Sequence, residues 1–144
     1  MATNGTRGTF ADFNQRLIQD LRAHGGEATT GPFVGRPVLI LTTRGSKSGQ
    51  PRANPLVYTR DGDRYVVIAS KGGAPTNPGW YHNLSEDPNV DVQVKGDRFK
   101  ATASTAEGEE RDRLWKLMTA AWPAYDEYQT RTDRQIPVVV LTPA

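Results

Sequence analysis

The chain has 144 residues and a net charge of +2, which fits one domain around one core and gives the molecule as a whole no strong attraction for nucleic acid. It has no cysteine and only two histidines, His24 and His82, which excludes disulfides, thiolate catalysis and cysteine-based zinc or iron–sulfur centres, and no metal site is expected. No apolar run approaches the roughly 18–20 residues of a membrane span and no signal-peptide block opens the chain, so the expectation is a soluble, cytoplasmic protein.

In chain order, Phe10, Phe13, Leu17 and Leu21 recur at helical spacing and predict a helix over about residues 8–24, ended by His24, Gly25 and Gly26. Its apolar stripe is read as packing on the body of the protein. Contact with a membrane surface is the less favoured use, because Arg16 and Arg22 are its only cations. "GEATTGPFVG" reads as a loop, and "RPVLILTTR" as a strand buried on both faces. "PRANPLVYTR" is a second strand, where Pro55 signals a bulge or an edge position. Asp61 and Gly62 signal a hairpin into a third strand, "RYVVIASK", so that the first three strands are expected to meander. A Gly- and Pro-rich loop then leads to a short helix, "WYHNLSED". "NVDVQV" and "RFKATAST" alternate as a hairpin, residues 107–122 carry a helical stripe of Leu114, Leu117, Met118 and Ala121, and Pro123 breaks it. "YDEYQT" adds a helical turn and "IPVVVLTP" a last strand. About six mainly antiparallel strands with flanking helices make a small, partly open barrel of the α+β kind, in a single domain spanning residues 1–144.

The charge is uneven. Residues 36–71 hold seven bases (Arg36, Arg44, Lys47, Arg52, Arg60, Arg64, Lys71) against two acids, Asp61 and Asp63. The balancing acids, among them Glu107, Glu109, Glu110 and Asp112, come later, so one surface is expected to be basic and to suit a phosphate or an acidic small molecule. Within this segment "RGSKSG" combines bare backbone, hydroxyls and a cation. Its successive N–H groups can form an anion nest, with Lys47, Ser46, Ser48 and Arg52 adding donors. It lacks the spacing of a Walker A loop, and a solvated hairpin tip weighs equally for this stretch alone. "IASKGGAPTNPGWYHNL" repeats the combination at the end of another strand, in Ser70, Lys71, Gly72 and Gly73, whose glycines permit close approach of a flat ligand. Trp80 follows. By itself it reads as a core residue before it reads as a stacking face, and His82 reads as a surface or capping side chain. Two loops of like chemistry on one rim suit an elongated, anionic, ring-bearing ligand. Farther on, Tyr125 and Tyr128 are three apart and share a helix face, with Trp122 beside them at the break. They read as aromatic walls for a planar acceptor, with the Tyr125 and Tyr128 phenols as the catalytic groups that hydrogen-bond the oxygen gaining charge, against the plainer use of pinning the helix to the barrel.

"LTTRGSKSGQPRANPLVY", "DGDRYVVIASKGGAPTNPGWYHNL" and "DPNVDVQV" together resemble the deazaflavin (coenzyme F420)-dependent nitroreductase and F420H2-dependent reductase family, found mainly in actinobacteria. The resemblance implies a split β-barrel that binds F420, whose phosphate and tail of glutamates would account for the cations. It implies that Lys47, Ser48 and Arg52 meet the phosphate and tail, that Pro55 and Val57 line the ring, that Ile68, Ser70, Lys71, Gly72 and Gly73 hold its pyrimidine end, and that Trp80 helps enclose it. It places Tyr125 and Tyr128, with Trp122 and Ser70, beside the acceptor. Ser46 departs from the family pattern, which usually has Arg there, and removes one cation from the tail site. The implied activity is hydride transfer from reduced F420 to a small electron-poor acceptor: a quinone, a nitroaromatic or an α,β-unsaturated lactone. An FMN-binding split-barrel oxidoreductase and a non-catalytic F420-binding protein are the alternatives, as a monomer or a homodimer.

Overall fold

The computed structural model describes residues 10–144. Helix α1 (Phe10–Ala23) is followed by strands β1 (Val38–Arg44), β2 (Pro51–Val57), β3 (Thr59–Asp61) and β4 (Arg64–Ile68) and a 3-10 turn at Lys71–Gly73. Helix α2 (Gly79–Glu86), the hairpin β5 (Asn89–Val94) and β6 (Asp97–Thr105), helices α3 (Gly108–Ala121) and α4 (Ala124–Thr130), and strand β7 (Val138–Pro143) complete the chain. The predicted N-terminal helix is thus present. Its expected residues 8 and 9 and the side chain of Phe10 lie outside what is described.

The strands form one sheet in the order β2-β1-β5-β6-β7-β4-β3, antiparallel at every pairing. β2 and β3 stand at opposite edges, yet only Tyr58 separates them in sequence. One residue spans at most about 3.6 Å, so the sheet must curl until its edges meet. β2 accordingly contacts β4 across the opening. The result is the split barrel implied by the sequence, with seven strands rather than about six. The expected meander of three strands is corrected. β1 and β2 pair, but the chain then crosses the split, and the third predicted strand, β4, pairs with β3 and β7 instead of β2. The cause is local. Pro55 has no N–H to offer a further neighbour, so β2 stays an edge. Tyr58 turns inward against Tyr65, with ring centroids 5.5 Å apart, and the Asp61–Arg64 pair closes the next hairpin.

Alternation along the strands sorts the apolar residues into three clusters. Leu39, Leu41, Tyr65, Val67, Val92 and Leu141 fill the barrel, and α2 closes its end with Trp80 and Leu84. Ile68, Val138 and Val140 on the outer face receive Leu114, Met118 and Tyr125 of α3 and α4. Val38, Ile40 and Val57 receive Leu17, Ile18 and Leu21 of α1. Trp122 packs against both outer clusters and so marks the seam between them. The β3–β4 hairpin is fastened to α3 by Asp61, which accepts both Nη1 and Nη2 of Arg113 at 2.9 and 3.0 Å and also pairs with Arg64.

Candidate functional site

The β1–β2 loop is shaped from within. Gly45 N–H donates to the Gln50 carbonyl at 2.8 Å, Gly49 N–H to the Gly45 carbonyl at 2.9 Å, and Gln50 N–H to Ser48 Oγ at 3.2 Å. Ser46 N–H donates to Asn83 Oδ1 of α2 at 3.1 Å, and Asn83 Nδ2 donates to Thr43 Oγ1 at 3.0 Å. These bonds narrow the expected nest. Of its backbone donors, those of Lys47 and Ser48 remain without a partner among the described residues. A Cβ at Gly45 would stand 2.7 Å from Ser48 Oγ and 3.6 Å from Arg52 Nε, so bare backbone here lets those two polar groups gather over the turn.

The loop after β4 is built differently. Its organiser is Arg134, from the segment before β7. Arg134 Nε donates to the Ala74 carbonyl at 2.8 Å, Nη2 to the Ser70 carbonyl at 2.7 Å, and Nη1 to Asn77 Oδ1 at 2.6 Å and the Ala69 carbonyl at 3.3 Å. No carboxylate pairs with it among the described residues, and burial pulls its pKa below the usual guanidinium value. Lys71 sits at φ +48°, a left-handed conformation that few side chains adopt, and its Nζ donates to Thr76 Oγ1 at 3.3 Å. Gly73, at φ +83°, presses on α4, where a Cβ would stand 2.6 Å from the Tyr128 carbonyl oxygen.

The loop after β4 thus meets α4, whereas the hydrogen bonds of the β1–β2 loop run to α2. Pro55 and Val57 are buried on β2, Ile68 ends β4, and Ser70 and Gly73 lead directly under α4. Tyr125 is buried against Ile68's cluster and meets Tyr128 edge to face at 6.0 Å. Burial raises the Tyr125 phenol far above its ordinary pKa, with Tyr128 adding to the shift, so it is a neutral hydroxyl at any physiological pH. Trp122 lies 6.4 Å from Tyr125 on one side and stacks on Phe33 at 5.8 Å on the other, with the Arg36 guanidinium 4.7 Å from its ring centre. Trp80 is placed otherwise. It is 6% exposed and packs in the barrel cluster, so it offers no free face. His82 is exposed, as expected.

The cations sort cleanly. Arg44 pairs with Asp87, Arg64 with Asp61 and Glu110, Arg60 covers Tyr65 and Arg36 covers Trp122. Lys47, Arg52 and Lys71 form no ion pair among the described residues, and all three are exposed, Lys47 on the β1–β2 loop, Arg52 at the start of β2 and Lys71 at the turn after β4. An anionic ligand with a flat head fits this donor set: free cations on both loops, and glycine backbone at both close approaches. A groove of about 500 Å³ lies elsewhere, on the β1–β5–β6 face between Arg22, Thr42, Gln93, Arg98 and Lys100. Its polar groups are partly paired with one another, Arg22 with Gln93 and Lys100 with Asp91, and neither loop lines it.

Three residues escaped the sequence reading. Asn83 stands on the short helix with no pattern around it to mark it. Arg134 lay in a polar stretch with nothing to distinguish it from a solvated cation. Phe33 left one signal, as a lone aromatic in a glycine-rich loop.

A family model for F420H(2)-dependent quinone reductases matches residues 15–143. An F420H(2)-dependent quinone reductase of Mycobacterium tuberculosis H37Rv is 49% identical over 135 residues, covering 87% of this chain and 91% of that protein. Among solved structures, the F420-H2 dependent reductase FDR-A matches with a TM-score of 0.69 at 46% identity, over 74% of this chain and 94% of its own. A second, a domain-swapped dimer, matches with a TM-score of 0.70 at 40% identity, over 88% of this chain and 92% of its own.

Proposed function

This chain belongs to the F420H(2)-dependent quinone reductase family, and we propose that its two loops grip the two ends of reduced coenzyme F420 while α4 and Trp122 hold the acceptor. It is an oxidoreductase that depends on F420 and acts on a small-molecule acceptor. When bound, the reduced deazaflavin supplies a hydride, and a quinone that takes this hydride and one proton leaves as the quinol. The observation that carries the residue assignment is the sorting of the cations. Four of the seven in residues 36–71 are occupied by acids or aromatic rings, and the three left over stand on the two loops or, for Arg52, just past the first.

In this reading Lys47, Ser48 and Arg52 meet the phosphate and glutamate tail, with charge-assisted bonds from Arg52. Pro55, Val57 and Ile68 floor the ring site. Ser70, Lys71, Gly72 and Gly73 face its pyrimidine end with backbone donors and one cation, which favour negative charge there. Tyr128 and Trp122 wall the acceptor. The neutral Tyr125 hydroxyl donates a hydrogen bond to the acceptor oxygen that gains charge. No side-chain nucleophile takes part. Quinones are the acceptors the family points to, and nitroaromatics and unsaturated lactones share the same electron-poor plane. Among the described residues no helix is long and apolar enough to cross a membrane.

The test follows oxidation of reduced F420 by menadione, beside a titration with oxidised F420. Binding with turnover is expected. Binding without turnover would make the protein a carrier, and absence of binding would remove the cofactor assignment.

A further inference from the structure

Arg134 touches nothing that the family reading assigns to chemistry except the carbonyls of the ring-binding loop. A trans peptide holds its C=O and N–H pointing in opposite directions. The Ala69 and Ser70 carbonyls both turn onto the Arg134 guanidinium, at 3.3 and 2.7 Å. The N–H groups of the same two peptide units, those of Ser70 and Lys71, are therefore turned away from it. Neither has a hydrogen-bond partner among the described residues, although Ser70 is buried. A free donor at a buried residue is a costly arrangement unless a ligand completes it, and the N–H of exposed Lys71 stands next to it. The left-handed Lys71 stores further strain at the same spot.

We propose that Arg134 is the positioning residue of the cofactor ring site: by collecting the carbonyls of Ala69, Ser70 and Ala74 and the amide oxygen of Asn77, it sets the Ser70 and Lys71 N–H groups as a donor pair for an electron-rich edge of the deazaflavin. This rests on the F420 reading above. The guanidinium is suited to the task because one rigid fork reaches four oxygens at 2.6–3.3 Å from a single side chain. A lysine ammonium in the same place has three donors and no fixed plane, so it cannot hold all four.

The test compares oxidised F420 with the deazaflavin riboside, which has the ring but neither phosphate nor tail. Both are titrated into the wild type and into Arg134→Lys, Asn77→Ala and Arg52→Ala, with a melting curve for each protein. Arg134→Lys is expected to weaken F420 and the riboside by the same factor, about tenfold, the effect of losing roughly one to two hydrogen bonds. Asn77→Ala, which frees one corner of the guanidinium, should weaken both by a smaller common factor, and it carries the comparison if Arg134→Lys does not fold. Arg52→Ala should weaken F420 alone. A riboside affinity unchanged in a folded Arg134→Lys protein, or in Asn77→Ala where that variant stands in, would overturn the proposal. A wild type that binds neither ligand would instead overturn the cofactor reading itself.

Discussion

The two loops of the candidate site share a vocabulary of serine, lysine and glycine, yet the protein holds it in different ways. In the β1–β2 loop the backbone is shaped from within and by Asn83, which leaves the Lys47 and Ser48 N–H groups free beside exposed cations on flexible stems. In the loop after β4 the backbone is held from outside by Arg134, and the free groups are the main-chain donors of buried Ser70 and exposed Lys71, with the Lys71 ammonium beside them. Mobile charge tolerates a tail of variable pose and weakens with salt. Fixed donors select a ring by shape and respond little to salt. An elongated cofactor with a rigid head and a polyanionic tail needs both.

The largest effect is expected where the fixed side meets the acceptor. Tyr125→Phe should lower kcat on the order of a hundredfold, the range for losing a hydrogen bond to a developing charge, and leave F420 affinity within about twofold. Steady-state kinetics with menadione and a cofactor titration separate the two. Parallel loss of both would put Tyr125 on the cofactor. Because burial holds the phenol protonated, its contribution should stay flat between pH 6 and 9.

Glycine substitutions then set one loop against the other. Gly73 and Gly49 both have left-handed backbones, at φ +83° and +71°. A Cβ at Gly49 meets open space, but at Gly73 it meets the Tyr128 carbonyl oxygen at 2.6 Å. Gly73→Ala should cost about 2–3 kcal/mol of stability and dislodge α4, against about 1 kcal/mol for Gly49→Ala. Equal melting temperatures for the two variants would erase the difference claimed between the loops.

Arg52→Ala should weaken F420 by about 1.5–3 kcal/mol at low salt, and by less at high salt. A loss independent of ionic strength would make Arg52 a packing residue. The smallest effect lies outside both loops. The Arg113 and Arg64 guanidiniums hold the Asp61 carboxyl well below the usual carboxylate range. A depressed folded pKa gives stability that is complete above the unfolded value of about 3.9 and is lost as pH falls through the folded value. Asp61→Asn should therefore lower the melting temperature by roughly 3 °C at pH 7, about 1 kcal/mol after solvent screening, and flatten its decline below pH 4.

The sequence carried the elements well, because each is written locally: helical spacing in Leu114 and Met118, alternation in β5 and β6, the Asp61 and Gly62 turn. It carried the pairing poorly. Whether β2 pairs onward or crosses the split depends on the curl of the whole sheet, and Pro55 hinted at the edge without saying where the chain went next. Both loops of the candidate site stood out by composition, since cations with glycine and serine are unusual at strand ends. Asn83 and Arg134 were not, because a side chain that serves by holding another loop's backbone leaves no pattern in its own neighbourhood. Trp80 was legible as a core residue by its own chemistry, and its indole lies in the barrel.

The division of labour between the loops is tested most directly by titrating the wild type with F420 and with FMN at about 50 mM and 500 mM salt. FMN has a flat head and a phosphate but no glutamate tail. The account predicts tighter binding of F420 at low salt, and a gap that narrows as salt rises because exposed cations hold the tail. FMN binding as tight as F420 at low salt, or a gap indifferent to salt, would contradict it.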